Sequence, residues 1–253
     1  MAMVSYLLKT EDLYSILKYL KNRNERGLPM DYLHGIDCQI IQHPDMFHAN
    51  SDTELLGCFM HVKRKDRVLD IGTNNGALLL SASRFHPCYL HGIDLFEEVI
   101  ETARINAEYN HIDMRFTVSS LQEFESDPFD LIVCNPPYFH TQSNHLKNEN
   151  RYLRAARHEE YLSLEDLMKH VKRLLKDNGR FEMVYRPTDL FHVFTVAQKY
   201  GLFCNRMRIA YASKKKQAKT VLLEFQKKKK GETKIEPPAF LDDRNSYGWE
   251  EQV

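Results

Sequence analysis

The chain has 253 residues, 43% of them hydrophobic and 28% charged, with 35 basic side chains balanced by 35 acidic ones. This profile excludes a disordered or fibrous protein, and no apolar stretch is long enough to span a bilayer, so no membrane partner is expected. The balance hides an asymmetry: residues 1–150 hold 13 Lys and Arg against 21 Asp and Glu, and the remainder holds 22 against 14, which points to a polyanionic partner. The lysine runs at 214–216 and 227–230 contribute to that excess, and each reads equally well as a solvated loop end. The five cysteines, Cys38, Cys58, Cys88, Cys134 and Cys204, lack metal-ligand spacing and read as free thiols of a reducing compartment. Lys9, Glu11 and Asp12 interrupt the first apolar stretch too soon for a signal peptide, so a cytoplasmic location is expected.

In chain order, Thr10 caps a predicted helix over 10–21, with Leu13, Ile16, Leu17 and Leu20 on one face, and the polar stretch 22–29 ends it. Residues 1–26 therefore read as an appended helical segment. A short strand is expected over 38–42, then a loop to Asn50 and a helix over 53–61. From residue 67 the pattern alternates: strands at 67–71, 89–93, 115–118 and 129–134, with helices at 77–85 and 97–109 between them. A polar loop at 141–150 follows, then a helix at 164–175, a strand at 180–185 and a helix at 188–200. Such alternation predicts an α/β domain with a parallel sheet and crossover helices. Strands at 203–211 and 220–226, around a lysine-rich turn, read as a closing antiparallel hairpin. The catalytic domain is expected over 27–230, and the tail 231–253, with Pro237 and Pro238, is expected to be extended.

Two constellations carry chemistry. The first is Val68-Leu69-Asp70-Ile71-Gly72-Thr73-Asn74-Asn75-Gly76-Ala77, a strand running into a glycine-punctuated turn and a helix. Gly72 lets a ligand approach the backbone, and Gly76 lets the helix begin close to the sheet. Asp94 ends the next strand, where a carboxylate can accept from both ribose hydroxyls of an adenosine-type cofactor. A tight turn in any α/β domain would explain the glycines but not Asp94, and the G-x-G-x-x-G of dinucleotide-binding enzymes is absent.

The second constellation is Phe129-Asp130-Leu131-Ile132-Val133-Cys134-Asn135-Pro136-Pro137-Tyr138-Phe139. Two prolines directly after an apolar strand halt its ladder. They fix the Asn135 amide and the Pro136 carbonyl at the carboxyl end of the sheet, where open α/β folds bind ligands. Both oxygens can accept from one planar NH₂ group, and Tyr138 can stack on the ring that bears it. None of the twelve histidines sits in a tight ligand spacing such as H-E-x-x-H, so no metal is expected.

Asp70, Gly72, Gly76, Asp94 and Asn135-Pro136-Pro137-Tyr138 resemble the class I, Rossmann-like methyltransferases that act on exocyclic or amide nitrogens. Within these, the chain is most similar to the bacterial tRNA1(Val) (adenine-37-N6)-methyltransferase family over about residues 30–240. Further similarities are Phe47 with Asp52, Leu55, Leu56 and Phe59, then Arg157-His158-Glu159, Arg186-Pro187 and Ala218. The resemblance implies a seven-stranded, mostly parallel sheet with an antiparallel last strand and helices on both faces. It implies S-adenosylmethionine as donor and an adenine N6 of tRNA as acceptor. The cofactor residues would be Asp70, Gly72, Thr73, Asn75, Gly76, Asp94, Ser120 and Asn135, and Asn135, Pro136 and Tyr138 would carry catalysis. Phe47, Tyr138, Phe139 and Arg157 would meet the substrate, with Lys214, Lys215, Lys216 and Lys219 gripping RNA. Asn74 and Ser119-Ser120 depart from the broader pattern, the first standing where a third glycine is common, the second where an acidic or amide residue often meets the cofactor adenine. Two rivals are a glutamine-amide methyltransferase acting on protein, which usually carries a longer helical amino-terminal domain, and an RNA-binding module with a silent cofactor site.

Overall fold

The computed structural model describes residues 30–33, 35–36, 38–42, 46–136, 162–229 and 231–248. The helix expected over 10–21 and the loop expected over 141–150 lie outside them. A two-stranded antiparallel hairpin comes first, β1 (Met30–Tyr32) with β2 (Gln39–Ile41). Helix α1 (Ser51–Phe59) follows, then β3 (Arg67–Ile71), α2 (Ala77–Ser83), β4 (Tyr89–Asp94), α3 (Glu97–Tyr109), β5 (Arg115–Val118) and β6 (Phe129–Cys134). Helix α4 (Leu164–Leu174), β7 (Leu175–Tyr185), α5 (Leu190–Lys199), β8 (Phe203–Tyr211) and β9 (Ala218–Gln226) complete the layers.

The sheet runs β5-β4-β3-β6-β7-β9-β8, with β3 to β7 parallel and β9 antiparallel between β7 and β8. Leu131, Ile132 and Val133 of β6 are all buried, as a central parallel strand covered on both faces requires. On one face Leu69, Ile71 and Ile132 pack with Leu167 and Val171 of α4 and Val193 of α5; on the other, Val68, Leu131 and Val133 pack with Leu55, Phe59 and Leu79 of α1 and α2.

The expected seven strands are the long ones, and the sheet has two more. Beyond Gln226 the chain turns back along the outer edge, where β10 (Lys234–Ile235) and β11 (Ala239–Phe240) each pair parallel with β8. Arg208 donates to the carbonyls of Pro237, Ser246 and Tyr247, and Tyr247 is buried against the α1 layer. Three other boundaries move for local reasons. Helix α1 begins at Ser51 and not at residue 53, because Asn50 Oδ1 caps the amides of Asp52 and Thr53 at 2.9 and 3.2 Å. Strand β7 starts at Leu175, opposite Phe129, and residues 176–179 bulge out before Arg180 meets Leu131. The helix expected over 188–200 opens as a 3-10 turn at Pro187–Asp189, with proline in its first turn.

The hairpin is held by helix α3. Asn106 Oδ1 accepts from Ile41 N at 2.7 Å and its Nδ2 donates to Ile41 O at 3.1 Å; Asn110 does the same with Gln39, at 3.0 and 2.7 Å. Four helical residues rise about 6 Å and two strand residues about 6.6 Å, so asparagines one turn apart match alternate strand residues. The side chains thus stand in for a missing neighbour strand.

Arg206 of β8 is the main polar junction behind α1. It donates to Glu224 at 2.8 Å, Glu182 at 3.0 Å, Glu236 at 3.2 Å and the Phe59 carbonyl at 2.8 Å, and its guanidinium lies 3.7 Å from the Phe59 ring centre. Glu182 is wholly buried, and desolvation pushes its carboxyl up to about 7 against the pull of Arg206. Replacing Arg206 by Met strands that carboxylate, so R206M is expected to lose about 3–5 kcal/mol of unfolding free energy in urea titrations. A loss under about 1 kcal/mol would show that the junction does not hold α1 in place.

Candidate active site

Three parallel strand ends converge. β3 lies between β4 and β6, with Asp70 opposite Gly92 and Ile71 opposite Cys134. The turn after β3 is therefore flanked by Asp94 on one side and Asn135 on the other, as the sequence pattern requires.

Asp70 is 1% exposed. Thr73 Oγ1 donates to its Oδ2 at 2.8 Å, and Oδ1 has no hydrogen-bond partner among the described residues. Desolvation pushes the Asp70 carboxyl up to about 8; the Thr73 hydroxyl opposes this and the nearby Asp94 charge adds to it. Thr73 also donates its backbone N–H to Ile93 O at 2.9 Å, locking the turn against β4. That contact explains Gly92, which the sequence reading passed over: a Cβ there would lie 2.6 Å from Thr73 Oγ1. A glycine inside an otherwise apolar strand was the available signal.

Gly72 has φ +68° and open space where a side chain would be, as a ligand-facing turn needs. Gly76, at φ +82°, opens α2; its neighbour is Ala103 of α3, at an ordinary 3.6 Å, so its backbone angle, and not closeness to the sheet, is what calls for glycine. Asn74 adopts φ 51°, which asparagine tolerates. Its backbone N–H donates to Asp94 Oδ2 at 3.1 Å, as a glycine's could, and its side-chain amide donates to the Phe47 carbonyl, which a glycine could not do. Phe96 N donates to the other Asp94 oxygen at 3.4 Å, and burial raises the Asp94 carboxyl above its ordinary range. The side chain of Asn75 turns to the hairpin, donating to Gln42 Oε1 at 3.2 Å, while its carbonyl accepts from Asn106. Ser120 stands beyond β5 with its hydroxyl donating to Glu123 at 2.9 Å; the neighbouring Ser119 N–H donates to Asp94 O at 2.9 Å.

Asn135 is half-buried and Pro136 buried at the end of β6. Asn135 Nδ2 donates to Thr53 Oγ1 of α1 at 3.2 Å, a partner with no signature in the sequence. Phe47 is 41% exposed beside the turn. Tyr138, Phe139 and Arg157 lie outside the described residues. Lys214, Lys215, Lys216 and Lys219 are exposed around the β8–β9 turn. β9 runs antiparallel to β7, with Val221 opposite Tyr185, so this turn lies at the carboxyl edge of the sheet, on the Asn135 side. The other lysine run lies at the opposite edge, where Lys227 pairs with Asp177 and Lys228 donates to Asn178. Among the described residues no cluster of three His, Cys, Asp or Glu could hold a metal ion, and no helix is long and apolar enough to cross a membrane.

Strand order, turn and strand-end residues define a class I methyltransferase, and the family model for a methyltransferase domain matches residues 62–229. The tRNA1(Val) (adenine(37)-N6)-methyltransferase of Trichodesmium erythraeum is 33% identical over 190 residues, 72% of this chain and 78% of that protein. The chain belongs to that family. Two solved structures share the fold: a methyltransferase from Pyrococcus furiosus (TM-score 0.57, 19% identity, 84% of this chain and 98% of that one) and the Pyrococcus abyssi tRNA (uracil-54, C5)-methyltransferase in complex with S-adenosyl-L-homocysteine (TM-score 0.54, 20% identity, 78% and 44%).

The buried Asp70 carboxyl sets a pH dependence. Its folded pKa lies above the unfolded value, so its contribution to stability is greatest below about pH 4 and erodes as pH rises toward about 8. Asp70→Asn removes that erosion. In urea unfolding of the ligand-free protein, the advantage of D70N over wild type is expected to be larger at pH 8 than at pH 5; an equal difference at both would contradict the burial of a titrating group.

Proposed function

We propose that this chain transfers a methyl group from S-adenosylmethionine to the exocyclic N6 of an adenine in tRNA, at position 37 of a valine tRNA as the names of its relatives specify. The observation that carries the reading is Asn135 at the end of β6, one strand from Asp70 and two from Asp94. The five free thiols and the RNA substrate suit the cytoplasm.

The residues fit the cofactor. Asp70 Oδ1, without a partner among the described residues, is an acceptor for a cationic ammonium, the Asp94 carboxyl stands at the strand end for ribose hydroxyls beside the backbone amides it accepts, and the space at Gly72 admits a ligand against the backbone. When bound, S-adenosylmethionine supplies an electrophilic methyl on a sulfonium. Asn135 Oδ1 and the Pro136 carbonyl would accept from the two N–H bonds of the acceptor amine, drawing its nitrogen toward tetrahedral geometry and freeing its lone pair. The nitrogen would gain the methyl as the methyl–sulfur bond breaks, the sulfur leaving as a neutral thioether, and would then shed a proton to solvent, so no dedicated base is needed. Positioning and desolvation supply the rate. Tyr138 and Phe139 would receive the base, which an anticodon loop presents already partly unstacked, with Phe47 and Arg157 flanking it.

RNA would be gripped at the carboxyl edge by Lys214, Lys215, Lys216 and Lys219. The distribution of partners supports this run over the other: Lys227 and Lys228 are engaged by Asp177 and Asn178, whereas Lys214 rests over the Phe240 ring at 5.8 Å.

Two measurements separate the roles. Asp94→Ala is expected to weaken cofactor binding by roughly 1.5–3 kcal/mol in calorimetric titration, the worth of a charge-assisted contact. Asn135→Ala is expected to spare that affinity and nearly abolish single-turnover methylation of saturating tRNA. A native rate in N135A would mean that another group holds the amine. For the lysines, neutralising Lys214, Lys215 and Lys216 together is expected to flatten the slope of log K for tRNA against log salt by about 2 units. Neutralising Lys227 and Lys228 leaves the slope near that of wild type, and a reversed ranking would move the RNA surface to the other edge.

A further inference from the structure

We propose that Thr53 is a positioning residue for Asn135, holding its carboxamide in place with the oxygen toward the acceptor amine. The inference rests on the reading of Asn135 given above. A carboxamide presents an acceptor at one end and two donors at the other. Turned the wrong way, Asn135 would oppose the N–H bonds of the acceptor with N–H bonds of its own. The Thr53 hydroxyl oxygen accepts from Nδ2 at 3.2 Å, and in that arrangement Oδ1 is left for the amine.

Thr53 suits that task because it is buried and immobilised. Its Oγ1 also accepts from Asn50 N at 3.4 Å in the α1 capping box, so both lone pairs are taken. Helix α1 is fastened at both ends to the strands beyond β6. At its first turn Asp52 Oδ1 accepts from Thr220 Oγ1 of β9 at 2.8 Å; at its last, the Phe59 carbonyl accepts from Arg206. The threonine hydroxyl is thus presented to the end of β6 from a frame 82 residues earlier in the chain. Asn135 itself is half-buried, so water could also satisfy its amide; a buried hydroxyl anchored in the helix cap holds the carboxamide in one place.

The test compares T53V, T53S, N50A, N135A and T53V/N135A by cofactor titration and by single-turnover methylation of tRNA at saturating cofactor. T53V is expected to slow methylation on the order of 10–100-fold, the cost of a misplaced reacting group, while the cofactor dissociation constant stays within about twofold. T53S restores the rate. T53V/N135A is no slower than N135A, because both changes remove one interaction. N50A weakens the cap but keeps the hydroxyl, and its rate stays near wild type.

A native rate in T53V beside a crippled N135A would overturn the role of Thr53 and leave that of Asn135 intact. A native rate in N135A would bring down both. Equal slowing by N50A and T53V would assign the effect to the helix end, and parallel losses of rate and cofactor affinity in T53V would assign Thr53 to the cofactor; either outcome overturns the proposal. Should T53V fail to fold, T53A removes the same hydroxyl with less bulk and is read by the same criteria.

Discussion

Asp70 stands on β3, between β4 and β6, with its carboxyl out of water and one oxygen unpartnered among the described residues, and the neighbouring groups are arranged around that fact. Leaving a buried carboxyl incompletely satisfied costs stability, and the filled apolar layers above and below the sheet offset it. The single internal hydrogen bond it receives, from Thr73, dictates the shape of the turn. Thr73 in turn reaches across to β4, which is why β4 carries glycine at position 92. Asp94, two residues on, is then held by the backbone of the same turn through Asn74. One buried acid thereby links the geometry of two strand ends.

The other side of the site depends on α1. This helix reaches the end of β6 through Thr53, is tied to β9 through Asp52 and to β8 through Arg206, and lies under the returning tail, where Tyr247 is buried. The outer strands are therefore joined to Asn135 through one helix. The amino-terminal hairpin meets the site in a comparable way: Asn75 holds Gln42, Asn74 holds Phe47, and two asparagines of α3 hold β2. Amide side chains join most of these parts, each able to donate and accept at once.

Much of this was legible in the sequence because the central strands are long, apolar and bounded by turn residues. The order of strands and helices after residue 67 and the carboxyl-edge position of Asp70, Asp94 and Asn135 follow from that pattern and the topology of parallel sheets. What escaped depends on contacts distant in sequence. Strand β1 is three residues long, beside a polar stretch; its partner β2 is expected from the sequence, but the grip of Asn106 and Asn110 on it, from some 65–71 residues away, is not. The tail reads as extended because its pairing strands are two residues each, and only β8 gives them a partner. Thr53 lies among residues that read as a helix start and, at Asp52, Leu55, Leu56 and Phe59, as a family likeness, but nothing in its own spacing points to Asn135. The β7 bulge at 176–179 has a turn-like Asp-Asn-Gly composition, and pairing of Leu175 with Phe129 draws it into the strand.

The most direct test of the account is made with purified protein, S-adenosylmethionine carrying a labelled methyl, and an unmodified transcript of valine tRNA, followed by nuclease digestion and mass mapping of the modified nucleoside. One labelled product is expected, N6-methyladenosine at position 37, formed by wild type and lost in N135A. Label on another base, on a ribose, or on added protein in place of RNA would contradict it.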